Sequence, residues 1–85
     1  MLLYHLRDQE RPGTLDARDE EECFTAAGRR IGVWLTTEPS TDPRAFAADV
    51  DVETVADFEV TAADAPNREF VVPAAVVATL GFACA

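Results

Sequence analysis

Hydrophobic and polar positions change period several times along the 85 residues of the chain. Leu2 to Leu6 is short, apolar and aromatic and predicts a strand beginning at the first residues. Arg7 to Thr14 is charged and contains Pro12-Gly13, a dipeptide that marks a turn because proline fixes φ and glycine accepts positive φ. Asp16 to Arg30 has helix grammar. Asp16 or Asp19 can cap, Asp19 to Glu22 place acids at the positive end, Gly28 can stop the helix, and Arg29-Arg30 follow at the negative end. Its apolar residues Cys23, Phe24, Ala26 and Ala27 would pack one face against a sheet.

Ile31 to Thr37 is rich in β-branched and aromatic residues and is bounded by Glu38-Pro39-Ser40, so it predicts a central strand covered on both faces. Pro39 to Pro43 reads as a turn cluster, with one helical turn at Pro43 to Phe46. From Ala48 the pattern becomes strict alternation. Asp49, Asp51 and Glu53 point one way and Val50 and Val52 the other, and Asp57 and Glu59 then oppose Phe58 and Val60. Two half-buried strand segments are expected there, and the intervening Glu53-Thr54-Val55-Ala56 is either a helical turn or a bulge. Thr61 to Asn67 reads as a loop and Arg68 to Val72 as a strand stopped by Pro73. A short helix follows from Ala74 to Thr79, ended by Gly81, and Phe82 to Ala85 forms an edge strand.

The expected fold is a single α+β domain over residues 1–85. It has a mainly antiparallel sheet of about five short strands, one main helix and a short C-terminal helix. Phe46, Phe58, Phe70 and Phe82 recur every twelve residues, but their flanks do not repeat, so this is strand-and-turn spacing and not duplication.

A composition of 48% hydrophobic and 27% charged residues is that of a globular chain, and the length leaves room for one core only. The start Met1-Leu2-Leu3-Tyr4-His5 has no basic n-region or long apolar h-region, which points to a cytoplasmic protein. Phe70 to Ala85 is uncharged but interrupted by Pro73 and Gly81, and is shorter than the roughly 20 apolar residues of a membrane span. Cys23 and Cys84 lack metal-type spacing and read as reduced, buried small hydrophobes.

Charge changes the picture more. The net charge is −9, and every cation other than His5 is arginine. Residues 31–64 hold eight acids against Arg44 alone, whereas residues 1–30 hold seven acids against five arginines. Direct nucleic-acid binding is not expected of such a chain. On one strand face, Asp49, Asp51 and Glu53 would stand roughly 6.6 Å apart, about twice the roughly 3.4 Å charge spacing of a single DNA strand. Asp57 and Glu59 would extend that face. The expected function is therefore a small acidic interaction protein that occludes a basic, nucleic-acid-binding surface of a protein partner. Such a protein is expected to act as an inhibitor encoded by a phage or another mobile element, steered to its partner by opposite charge. Solvated carboxylates on the wet side of a sheet are the plainer alternative. Asp49-x-Asp51-x-Glu53 lacks the loop glycine and terminal acid of a calcium loop, and no metal site is expected. A homodimer through the uncharged segment Phe70 to Ala85 is a further expectation about partners.

No nucleophile elbow, phosphate loop or Cys/His cluster is present in the sequence. His5 is the sole histidine, and Glu69 lies between Arg68 and Phe70, where it is either a functional acid or, more simply, the partner of Arg68 across an edge. The segments Leu3-Tyr4-His5, Gly32 to Pro39 and Arg68 to Ala74, taken in order, resemble small bacterial and phage proteins related to the ADP-ribosyltransferase fold. That resemblance implies an enzyme alternative. His5 would contact the ribose of NAD and Glu69 would orient the reacting ribose. Otherwise the chain would be an inactive remnant of such an enzyme, needing no cofactor.

Overall fold

The computed structural model describes residues 1–7, 13–61 and 66–84. Pro12 of the expected turn, residues 62–65 of the expected loop and Ala85 lie outside the described residues. Gly13, the other half of that turn, has φ +101°.

Among the described residues there are seven strands, β1 (Leu2–Leu6), β2 (Glu21–Thr25), β3 (Gly28–Thr36), β4 (Ala45–Asp49), β5 (Glu59–Val60), β6 (Glu69–Val72) and β7 (Ala83–Cys84). All their pairings are antiparallel, in the order β5-β6-β3-β1-β4-β7, with β2 pairing β3 off that path. The α+β class and the antiparallel sheet agree with the sequence reading, and seven strands replace five. Helix content is small. Val52–Val55 (α1) runs on as a 3-10 turn over Ala56–Phe58, the longest helical stretch among the described residues, and Ala74–Val77 (α2) is the expected short C-terminal helix.

The largest correction falls on Asp16 to Arg30. Only Ala17–Asp19 is helical, as a single 3-10 turn, and the rest is the β2–β3 hairpin. The cap grammar is real. Asp16 accepts from the Arg18 backbone N–H, and Asp19 accepts from the Asp16 N–H, which closes a capping box. Beyond the cap, pairing with β3 wins: Cys23 lies opposite Arg30 and Thr25 opposite Gly28, whose φ of +110° suits glycine at the reversal through Ala26-Ala27. The apolar stripe assigned to a helix is thereby split, with Cys23 buried and Phe24 exposed.

Pro43 to Phe46 is likewise not helical, since the turn ends at Arg44 and β4 begins at Ala45. The acidic alternation from Ala48 is not one strand face either. β4 stops at Asp49, and Asp51 caps α1 by accepting from the Glu53 N–H at 3.0 Å. Val52, Val55 and Phe58 then recur every three residues, a helical spacing coincident with the period-2 pattern, and burial of Val55 decides between them.

Residues opposite one another on paired strands project to the same side. Tyr4, Thr36, Glu69 and Val60 therefore share one face, and His5, Phe46, Leu35 and Phe70 share the other. The second of these carries the main core of Leu3, Leu15, Val33, Leu35, Phe70 and Val72, roofed by Val55 of α1 and Val77 of α2. The opposite face has only a small cluster of Cys23, Val60 and Val71 with Trp34 against it. Strand β3 is central as expected, and among the described residues its two faces are unequally covered, Val33 and Leu35 by the main core and Trp34 by the small cluster. The C-terminal segment proposed for dimerisation is spent on the molecule's own core, with Phe70, Val72, Val77 and Phe82 all buried.

Candidate functional site

The five acids expected to form a row occupy four different kinds of position. Asp49 ends β4 opposite Leu2, on the sparsely covered face, and lies 2.7 Å from the Met1 ammonium. Glu59 lies opposite Phe70 on the core side and is bound by Arg68 at 2.6 Å and 3.2 Å. The Arg68 guanidinium holds the Glu59 carboxyl below the usual glutamate range, chiefly through that hydrogen bond. Asp49 and Glu59 thus face opposite sides of the sheet, and each has its own cation. Asp51, Glu53 and Asp57 remain, all exposed and close together on the helical stretch. Glu53 and Asp57 are four residues apart and project away from buried Val55. Neither has an ion pair among the described residues.

The residues of the enzyme alternative are not brought together. Glu69 is half-buried on the sparsely covered face opposite Thr36, while His5 projects from the other side of β1. The His5 ring is 8% exposed. Its Nδ1 lies 2.8 Å from the Trp34 carbonyl, which can only accept, so Nδ1 carries the proton. Nε2 is 3.9 Å from Asp19 Oδ1. Both ring nitrogens thus face groups of the chain itself.

Beside His5 is a cluster that the sequence reading missed. Arg7 Nε and Nη2 donate to the two oxygens of Asp19 at 2.8 Å and 3.1 Å, and Nη2 also donates to the Thr14 carbonyl. The guanidinium stacks 4.4 Å from the centre of the Phe46 ring. This buried arrangement ties the 3-10 turn to the end of β1, and its hydrogen-bond pattern is structural. The capping motif at Asp16 was the only available signal, and it did not reveal that Asp19 would be buried.

A shallow groove of about 120 Å³ lies between the β2–β3 hairpin and the 3-10 turn at Ala56–Phe58, lined by Arg30, Asp57, Phe58 and Glu59 among others. It is well below the roughly 300–1,000 Å³ of small-molecule sites and cannot enclose a dinucleotide. Among the described residues there is no group of three or more metal-ligating side chains. No described helix is long and apolar enough to cross a membrane. Cys23 is buried, and burial raises its thiol pKa, whereas Cys84 is exposed at the edge strand β7. Comparison with family models, curated proteins and solved structures gives no match.

Proposed function

We propose that this protein is an interaction module that docks on an arginine- or lysine-rich protein surface through Asp51, Glu53 and Asp57. The reading rests on one observation. Glu53 and Asp57 are like charges at helical i,i+4 spacing on an outward face, an arrangement that destabilises the segment, and neither has an ion pair among the described residues. Solvation alone needs no such concentration, whereas a cationic partner would turn the local repulsion into attraction. Opposite charge also accelerates encounter and suppresses wrong partners. Where the partner surface ordinarily holds nucleic acid, docking would block it. Asp49 and Glu59 take no part in this version, because their nearest cations belong to their own chain.

The test compares two triple variants of equal charge change for binding to a nona-arginine peptide across a salt series. One is Asp51→Asn, Glu53→Gln, Asp57→Asn, and the other is Glu20→Gln, Glu21→Gln, Glu38→Gln, at exposed positions elsewhere. The first should weaken binding and flatten its salt dependence, and the second should do so far less. Equal losses would mean that only net charge matters, and the localised site would be abandoned.

A further inference from the structure

We propose that two copies of this chain pair edge to edge through β2, about a two-fold axis passing through Cys23. Two independent features converge there. β2 is hydrogen-bonded to β3 alone, so its other edge is unpaired among the described residues. A five-residue unpaired edge is a template for another strand. On one side of the same hairpin stand Phe24, 77% exposed, and Ile31, 60% exposed, the two most exposed large hydrophobic residues described. Glu22 lies opposite Ile31 and Phe24 opposite Arg29, which places both apolar side chains on one face.

The sequence of β2 selects a second copy of itself as the occupant. A two-fold perpendicular to a continuous sheet keeps each face on its own side, so opposed residues must share parity and the axis must pass through a residue. Centring on Glu22 would set its carboxylate against its own copy. Centring on Phe24 would run the pairing into the Ala26-Ala27 reversal. Centring on Cys23 overlaps all of Glu21–Thr25, with Glu21 opposite Thr25 and Glu22 opposite Phe24 of the second copy. No like charges are opposed in that register. Glu22 is already 3.6 Å from Arg29 of its own hairpin, so Phe24 meets a neutralised carboxylate. The two Phe24 rings become diagonal neighbours, within aromatic reach across the seam.

Charge favours the same surface. Two bodies of net charge −9 repel, and residues 20–30 hold Glu20, Glu21 and Glu22 against Arg29 and Arg30, a far better balance than the acidic stretch 49–59. Association through the hairpin keeps the acidic helical stretches out of the contact. Added salt should therefore strengthen the dimer, the opposite of its expected effect on binding to a cationic peptide.

Sedimentation equilibrium from about 20 µM to about 1 mM, with amide exchange at both ends of the range, tests this. A reversible dimer with amide protection in residues 21–25 that grows with concentration is expected. Phe24→Glu, at an exposed position, would set a carboxylate against Glu22 of the opposite copy on each side of the axis and weaken the dimer at least about tenfold. Adding Glu22→Arg to that variant should restore it. A monomer throughout, or a dimer indifferent to Phe24→Glu, would overturn the proposal. Loss without rescue by Glu22→Arg would overturn the register, and circular dichroism confirms that each variant is folded.

Discussion

Arg7 and Asp19 meet in a two-point ion pair in which both side chains are 2% exposed, although one directly follows the first strand and the other closes a 3-10 turn. Removing one partner from such a pair leaves an uncompensated charge in the interior. Arg7→Leu should cost about 3–5 kcal/mol, read as a fall in the urea midpoint. Replacing both, as Arg7→Leu with Asp19→Leu, should recover much of that loss. A double variant no better than the single would mean that hydrogen bonds from the two residues to the backbone dominate.

Gly32 sits where β3 changes partners, paired with Glu21 of β2 while the next residue, Val33, pairs with Val72 of β6. A Cβ added there would stand 2.8 Å from the Val72 carbonyl oxygen and 2.9 Å from Val71 Cγ1. The first contact is with backbone and cannot yield by a side-chain rotation. Gly32→Ala should destabilise by about 1–3 kcal/mol, the range for overpacked interiors. In a domain of this size the melting temperature should fall by about 4–8 °C per kcal/mol.

Those two sites show what the sequence could disclose and what it could not. Strands β1 and β6 and helix α2 are local in origin, written in short apolar runs, and each begins within a residue of where the pattern puts it, whereas β3 starts at Gly28, inside the segment expected to be a helix. The hairpin at Asp16 to Arg30 was misread because Glu20, Glu21, Glu22, Ala26 and Ala27 favour a helix by local propensity, and only pairing with β3 overrules them. The acidic alternation failed for a different reason. Val52 and Val55 fit a helix, and Asp51 before them is a good N-cap, so two periods were superimposed and the shorter one was taken. The Arg7–Asp19 pair had no signature, because burial of a charge depends on which distant elements close over it.

Asp42 carries the clearest acid dependence. Hydrogen bonds from the Arg44 side chain and backbone pull its carboxyl down from an ordinary 3.8 to about 2. As pH falls, the unfolded chain takes up this proton near 3.8 while the folded chain resists until about 2. The stabilisation is thus complete above the ordinary value and is lost as pH drops through that window. Glu59, lowered by Arg68, acts in the same direction. Asp42→Asn should make the urea midpoint fall less steeply over the window, and an unchanged slope would assign the acid sensitivity to other groups.

The repulsion between Glu53 and Asp57 predicts opposed effects on stability and binding. Asp57→Lys creates a favourable i,i+4 pair with Glu53 and should raise stability by about 0.5–1 kcal/mol. The same change should weaken binding to the nona-arginine peptide. Stabilisation with unaltered binding would remove Asp57 from the docking surface.

Strand β1 lies between β3 and β4, with Tyr4 opposite both Thr36 and Ala47. Strand β1 therefore lacks its β4 neighbour until residues 45–49 have been made, well after β3, and β3 lacks β6 until residues 69–72 have followed. Synthesis should run well ahead of folding, and the nascent chain should remain sensitive to proteases until β6 has emerged.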